Sequence, residues 1–393
     1  RIAQSRIAAA QGGLEQANAA LWPRLQLQSG YTRSDQPVTV FGYALNQRSY
    51  GSSLDFNDVP DGDNLNVRGL VTVPIYNGGR TKAGREAARA GTEAALQNAG
   101  AVRNTLAFEV ARTFYSVLKT REFIRATGAS VRSFEDSLII ASNRHHGGTI
   151  LKAELLDVDV RLAQAREDFV RARNANALAE RALRNLIGIE GGEFTVADSA
   201  PAAGVPEAGG GVERPELAAL REEQRAAEAG VRRARGGYLP RVDAFGSLDY
   251  DRGWRFDADG KSYTVGVMAQ WSLWDGRLTR GEVRQAQASL EATQEEQRKL
   301  RLDLDFEVEQ ARLNLNAATE RLTVTEKAVA QAAESVELTR ARFEQGLAIA
   351  TQLIDAETAF TAARVRRADS EADERIAIAA LRKALGLPQL PTP

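Results

Sequence analysis

Any chemistry this chain performs has to come from few residues. Its only two histidines, His145 and His146, are adjacent. Neighbouring side chains on a helix point in different directions, and no cysteine or nearby carboxylate completes a set at metal-ligand spacing. DADGKS (257–262) has the look of a phosphate loop, but a P-loop requires glycine where Arg255 stands. As a calcium loop it lacks the closing glutamate, whose position Gly266 occupies, so it reads as a hairpin turn. Cysteine is absent, which removes disulfides, thiolate metal sites and cysteine nucleophiles and leaves the redox compartment open. No nucleophile–base–acid arrangement is visible. The residues point away from an enzyme, a cofactor or a metal.

Charge and hydropathy narrow the classes further. Lys plus Arg (51) nearly balances Asp plus Glu (52), so there is no bulk field to attract nucleic acid. No run approaches the roughly 20 apolar residues of a membrane helix. The chain opens at Arg1 in amphipathic sequence, RIAQSRIAAA, so any signal peptide is already removed or was never there. These facts exclude helix-spanning membrane proteins but not β-barrels, whose strands are short and only alternately apolar.

The elements that position these residues come in two copies. Residues 75–189 align with 273–387 at a constant offset of 198: IYNGGRTKAG lies over LWDGRLTRGE, LAFEV over LDFEV, and ALRNLIGI over ALRKALGL. Upstream, LWPRL (21–25) lies over YLPRV (238–242) at an offset of 217, so the first copy carries 19 extra residues, expected in a loop. All eleven prolines lie outside 75–200 and 241–387, which leaves two helix-rich blocks, each preceded by a strand-like region. The repeats span 1–190 and 214–393. The Gly/Pro/Ala-rich segment 191–213 links them, and RPEL (214–217) restarts a helix with Pro215 in its first turn.

Within the helical blocks, large apolar residues recur every seven positions. Val110, Val117, Ile124, Val131 and Leu138 mark the first copy; Val308, Leu315, Leu322, Val329, Val336 and Phe343 mark the second. This is a coiled-coil seam. Small residues three positions on (Ala311, Ala318, Thr325, Ala332, Thr339) allow close helix approach. A helix over 80–145 would be roughly 100 Å long. Yet RFEQGLAIATQLIDA (342–356) sets Gly346 in the middle of a helical pattern, and Gly147 and Gly148 interrupt the first copy. Something must happen to the helix at these glycines, which permit backbone conformations other residues avoid.

The strand-like regions are 24–31, 64–76, 241–250 and 262–274. In the last, Tyr263, Val265, Val267, Ala269, Trp271 and Leu273 alternate with Thr264, Gly266, Met268, Gln270 and Ser272. Segments of this length with one apolar face match membrane-spanning β-strands, with Tyr31, Tyr250, Tyr263 and Trp271 as interface aromatics. Asp61-Gly62 and Asp259-Gly260 mark hairpin turns. Four strands cannot close a barrel, and lipid does not tolerate an open edge, so the barrel must be shared between subunits.

Together these features resemble the TolC-like outer-membrane efflux family. The likeness covers essentially the whole chain: the duplication, Pro-Arg before the first strand of each copy, Tyr76-Asn77-Gly78-Gly79 and Trp274-Asp275-Gly276 at the strand-to-helix junctions, RPEL, and R-F-x-x-G-L. It implies a mixed α+β membrane protein, in which a long α-helical coiled-coil barrel extends into the periplasm from a transmembrane β-barrel. A homotrimer with four strands per chain would share that β-barrel in the outer membrane of a Gram-negative-type cell. It implies a duct of a tripartite efflux or type I secretion system, meeting a periplasmic adaptor, an inner-membrane transporter and outer-membrane lipid. The reversals near 145–149 and 343–348 would be the periplasmic tip, with Arg342, Phe343, Gly346, Leu347, Arg144, Gly147, Gly148 and Thr149 as the docking residues and Phe343 and Leu347 exposed. QLIDA (352–356) resembles a tip segment in which some relatives carry two aspartates that narrow the pore. Asp355 matches the second, Gln352 stands at the first, and Glu154 and Asp157 are their equivalents in the first copy. A soluble or periplasmic coiled-coil scaffold with peripheral hairpins is the competing reading.

Overall fold

The computed structural model describes residues 1–51, 55, 58–192, 194–198, 204–206 and 212–389. In chain order its elements are α1 (Ile2–Ala19), β1 (Arg24–Ser34), α2 (Pro37–Asn46), β2 (Gly62–Tyr76), α3 (Arg80–His146), α4 (Lys152–Ile187), α5 (Pro215–Arg235), β3 (Arg241–Gly253), β4 (Ala258–Gln270), α6 (Leu278–Glu344) and α7 (Ala350–Ala384). They fall into two compact units, 1–99 with 218–298 and 100–217 with 299–393.

The first unit is organised by one antiparallel sheet in the order β1-β2-β3-β4. The register puts Leu25, Leu27, Val67, Val71, Leu248, Tyr263, Val265 and Val267 on one face; Gln28, Asn66, Arg68, Ser247, Asp249 and Thr264 lie on the other. The expected alternation holds, and β2 pairs with β3, so the sheet joins the two repeats. The polar face is bonded across strands: Asn64 Nδ2 donates to Asp251 Oδ1 (2.6 Å), and Arg68 Nε donates to Asp249 Oδ1 (2.5 Å).

Three expectations are corrected at the strand ends. β4 covers 258–270 rather than 262–274, so Trp271 and Leu273 lie beyond the strand. The β3–β4 turn is 254–257, so Asp259-Gly260 and most of DADGKS sit inside β4 paired with β3; likewise Gly62 already belongs to β2. Asp257, with φ +42°, supplies the left-handed turn residue instead. The extra segment of the first copy is no simple loop, because it contains α2, with Val40 and Ala44 buried.

Each strand-to-helix junction uses its aromatic-(Asn/Asp)-Gly motif as a cap. The Thr81 amide donates to Asn77 Oδ1 (3.3 Å) and the Thr279 amide to Asp275 Oδ2 (2.9 Å), 198 residues apart. A polar side chain at a helix start satisfies amides that lack intrahelical partners. The next two residues of each copy have positive φ: Gly78 and Gly79, then Gly276 and Arg277. At Gly78 a Cβ would also stand 2.8 Å from Leu239 Cβ.

The second unit is built from antiparallel helix pairs. Ala311, Leu315 and Ala318 of α6 pack on Ala377, Ile378, Leu381 and Ala384 of α7, so the seam closes within its own hairpin. Val117 and Leu183 enclose Val196 of the linker. At the restart before α5, buried Arg214 donates to Glu216, to Glu307 Oε2 (3.0 Å) and to the Ala384 carbonyl (3.0 Å), and Lys383 also reaches Glu307. Burial works against ionising both carboxylates, but the Arg214 and Lys383 cations outweigh it, and both titrate below the usual carboxylate range. Among the described residues no helix is long and apolar enough to cross a membrane.

Candidate functional site

The helix reversals are where sequence and structure concentrate unusual features. After α3, the Thr149 amide donates to the Arg144 carbonyl (2.9 Å) and that of Gly148 to His145 (3.0 Å). After α6, Leu347 donates to Arg342 (2.8 Å) and Gly346 to Phe343 (3.0 Å). Each pair is a Schellman motif, which places a left-handed residue just past the helix. Gly148 (φ +70°) and Gly346 (φ +78°) fill that position, where a Cβ would cost about 1–2 kcal/mol. Gly147 instead closes α3, donating to the Asn143 carbonyl (3.0 Å).

The two reversals share one core. Phe134 of α3, Val158 and Leu162 of α4, Phe343 of α6, and Leu353 and Ile354 of α7 form a single buried cluster. Phe343, expected to be exposed, is 0% exposed. Arg144 covers it: the guanidinium lies 4.8 Å from the ring centroid, and Nη1 donates to the Phe343 carbonyl (2.9 Å). A cation over an aromatic face adds attraction to the burial. Leu347 remains 66% exposed, and Arg342 is exposed as well. Thr149 Oγ1 donates to the Arg144 carbonyl (3.0 Å). Both imidazoles are engaged locally, His145 Nδ1 with the Ile150 carbonyl (3.3 Å) and His146 Nδ1 with that of Ser142 (2.8 Å).

The four pore-constriction candidates, three carboxylates and Gln352, lie near the starts of α4 and α7. Glu154 accepts the Leu151 amide (3.2 Å) and thereby caps α4, while Asp157, Gln352 and Asp355 are exposed. Between the two hairpins sits a group that the sequence did not disclose. Glu357 is 2% exposed; its Oε1 accepts Ser133 Oγ (2.6 Å) and Arg340 Nη2, and Arg340 also reaches Ser133. This ties α3, α6 and α7 together. The residues at the repeat-related positions, Gln331, Ser142 and Asp159, differ, so the internal repeat carried no signal for it.

In the first unit the sheet presents its aromatics at the margins of the apolar face. Tyr31 is exposed and stacks edge-on against Trp254 at 5.8 Å. Tyr263 is exposed and Tyr250 half-buried. Trp271, just beyond β4, donates its indole N–H to the Tyr238 carbonyl (3.1 Å). Trp22, Tyr238 and Trp274 are also exposed at this helix-joined end of the strands. These residues were overlooked, although the Pro-Arg and aromatic-(Asn/Asp)-Gly motifs beside them mark that level.

Comparison with known proteins places this architecture. The family described as "Outer membrane efflux protein" matches residues 1–189 and 212–387. The outer membrane protein TolC of Vibrio cholerae is 24% identical over 399 residues, covering 94% of this chain and 83% of TolC. The crystal structure of VceC from Vibrio cholerae aligns with a TM-score of 0.80 at 19% identity, covering 98% of this chain and 92% of VceC. The CmeC outer membrane channel of Campylobacter jejuni aligns with a TM-score of 0.84 at 15% identity, covering 98% and 82%. Long helical hairpins joined to a four-stranded sheet are thus the shared fold, and the chain belongs to the outer membrane efflux protein family, a channel component of the outer membrane rather than an enzyme.

Proposed function

We propose that three copies of this chain assemble an export duct, with a twelve-stranded barrel in the outer membrane and a helical conduit whose hairpin turns meet a periplasmic adaptor and, through it, an inner-membrane transporter. The observation that carries this reading is the sheet. Its four strands leave β1 and β4 unpaired at the edges, one face is apolar, and the other is a bonded polar ladder. In lipid such edges must be joined to other strands, and a closed barrel with an apolar exterior and a polar interior is the available solution. A periplasmic scaffold leaves both the open edges and the exposed valines without a partner.

Val267 tests the assignment. Val267→Arg on the apolar face should cost on the order of 2–4 kcal/mol in urea titrations of folding into vesicles if it lies near the bilayer midplane, and Met268→Arg on the polar face far less. The reverse order would refute the shared barrel.

At the helix reversals, the docking surface is centred on exposed Leu347, with exposed Arg342 on the same turn, Phe343 as the buried pin, and Thr149 on the turn whose Arg144 covers that pin. A photocrosslinker at exposed Arg342 should capture the adaptor, and Leu347→Asp should abolish that capture while the trimer persists. Asp355 and Asp157, exposed near the starts of α7 and α4, are the carboxylates that threefold symmetry would gather around the pore, where they would favour cations. Glu154 and Gln352 stand one helical turn earlier.

A further inference from the structure

The extra segment of the first copy does something the second copy does not: it lays α2 across the polar face of the sheet at the hairpin end. The seat is made of glycines. Gly62, Gly253 and Gly260 lie on that face, one each on β2, β3 and β4. A Cβ at Gly62 would stand 2.9 Å from Val40 Cγ1, one at Gly253 would overlap the Gln47 side chain, and one at Gly260 would overlap the Asn46 carbonyl. Polar contacts pin the helix there. Tyr43 Oη donates to Thr32 Oγ1 on β1 (2.7 Å). Gln47 Nε2, in a side chain with no exposed surface, donates to the Asp63 carbonyl (2.7 Å) and to Asn64 Oδ1 (2.9 Å) on β2. Arg48, turned by a φ of +59°, donates to the Lys261 carbonyl on β4 (3.1 Å). Every strand of the chain therefore holds α2. On its opposite side, among the described residues, Val38 (84%) and Leu45 (47%) are exposed at a spacing of seven, and Phe41 between them packs edge-on against Tyr50.

The polar face is the barrel interior, and α1, α3, α5 and α6 all join the strands at the end opposite α2. We propose that α2 is an inward-folded plug, and that three copies meet at the extracellular mouth to form an apolar constriction. This rests on the trimeric barrel proposed above. Twelve strands spaced about 4.8 Å apart and tilted about 40° close at a backbone radius of roughly 12 Å. Three mutually touching helices, each about 11 Å across, require a circle of about the same radius. Glycines in the wall supply the room that side chains would otherwise fill. Val38 and Leu45 of the three copies then converge on the axis, and an apolar constriction of this kind excludes water and hydrated solutes by dewetting. The duct gains a closure at its outer end, independent of the helical tip.

The cysteine-free sequence permits a direct test. A single Gln28→Cys, on the polar face of β1, is exposed to a membrane-impermeant sulfonated maleimide added outside intact cells. Labelling should be at least tenfold slower than at Asp35→Cys, which lies in the loop before α2. Adding Gly253→Val with Gly260→Val fills the seat without altering the lipid face. Val38→Asp with Leu45→Asp charges the convergent side chains and leaves the seat intact, and it carries the test where the valine variant does not assemble. Either change should accelerate labelling of Gln28→Cys at least tenfold. Gln28→Cys that labels as fast as Asp35→Cys in the unmodified mouth overturns the plug, as does an unchanged rate in an assembled variant. Trimer migration in the outer-membrane fraction is scored in parallel. A monomer, or a Val267→Cys that labels freely from water, would instead refute the shared barrel.

Discussion

The turn between α3 and α4 and the turn between α6 and α7 have the same backbone, with Schellman bonds closing around Gly148 in one and Gly346 in the other. Their side chains differ. Arg144 lies over Phe343 and holds its carbonyl, whereas the repeat-related Arg342 is exposed. His145 is half-buried where Phe343 has no exposed surface. Buried Glu357 ties the second hairpin to α3 through Ser133, while its counterpart Asp159 is exposed. Duplication has kept what main-chain geometry demands and released the rest, so the second turn became an anchored pin and the first turn its cover.

The largest test of that asymmetry removes the pin. Phe343→Ala leaves a cavity in a closed core and should destabilise the second unit by about 3–5 kcal/mol, against less than about 1 kcal/mol for His145→Ala, read by hydrogen exchange of the turn amides. Comparable losses would erase the distinction. Next is the ion pair. Glu357→Ala strands Arg340, which is one-third exposed, so the loss should be about 2–3 kcal/mol, below that of a fully buried pair, while Asp159→Ala stays within about 0.5 kcal/mol. The shared backbone predicts the opposite pattern: Gly148→Ala and Gly346→Ala should each cost about 1–2 kcal/mol and agree with one another. A large difference would mean that the two turns do not carry equal backbone demands.

The smallest expected effect lies at the restart of the second repeat. Glu216 and Glu307 titrate below the usual range when folded, so their contribution is complete at neutral pH. It is lost as pH falls from about 4 through their lower folded values. Arg214→Gln should flatten that part of the acid-stability curve, and an unchanged curve would remove Arg214 as the cause.

Local periodicity made much of this legible. The strand faces followed from two-residue alternation; glycines within long proline-free helical stretches marked the breaks, and the family resemblance made those breaks reversals. What escaped depended on partners far away in sequence. Phe343 looked exposed because its cover, Arg144, is 199 residues distant. α2 was missed because PVTVFGYALN is rich in β-branched and aromatic residues, and its seat consists of glycines on three different strands. Glu357 bonds Arg340 across the α6–α7 reversal and Ser133 across hairpins, a pairing without period. Whether exposed Asp355 faces a pore depends on neighbouring copies, which a single chain's pattern does not encode.

The measurement that bears most directly on the duct is single-channel recording of the purified protein in planar bilayers. The protein should require detergent for extraction, migrate as a trimer and insert with discrete, cation-preferring conductance steps. Cation preference should fall in Asp355→Asn and fall further when Asp157→Asn is added, with the effect weakening from 0.1 M to 1 M salt as the Debye length shrinks from about 10 Å to about 3 Å. A protein that purifies without detergent and leaves the bilayer silent would contradict the account.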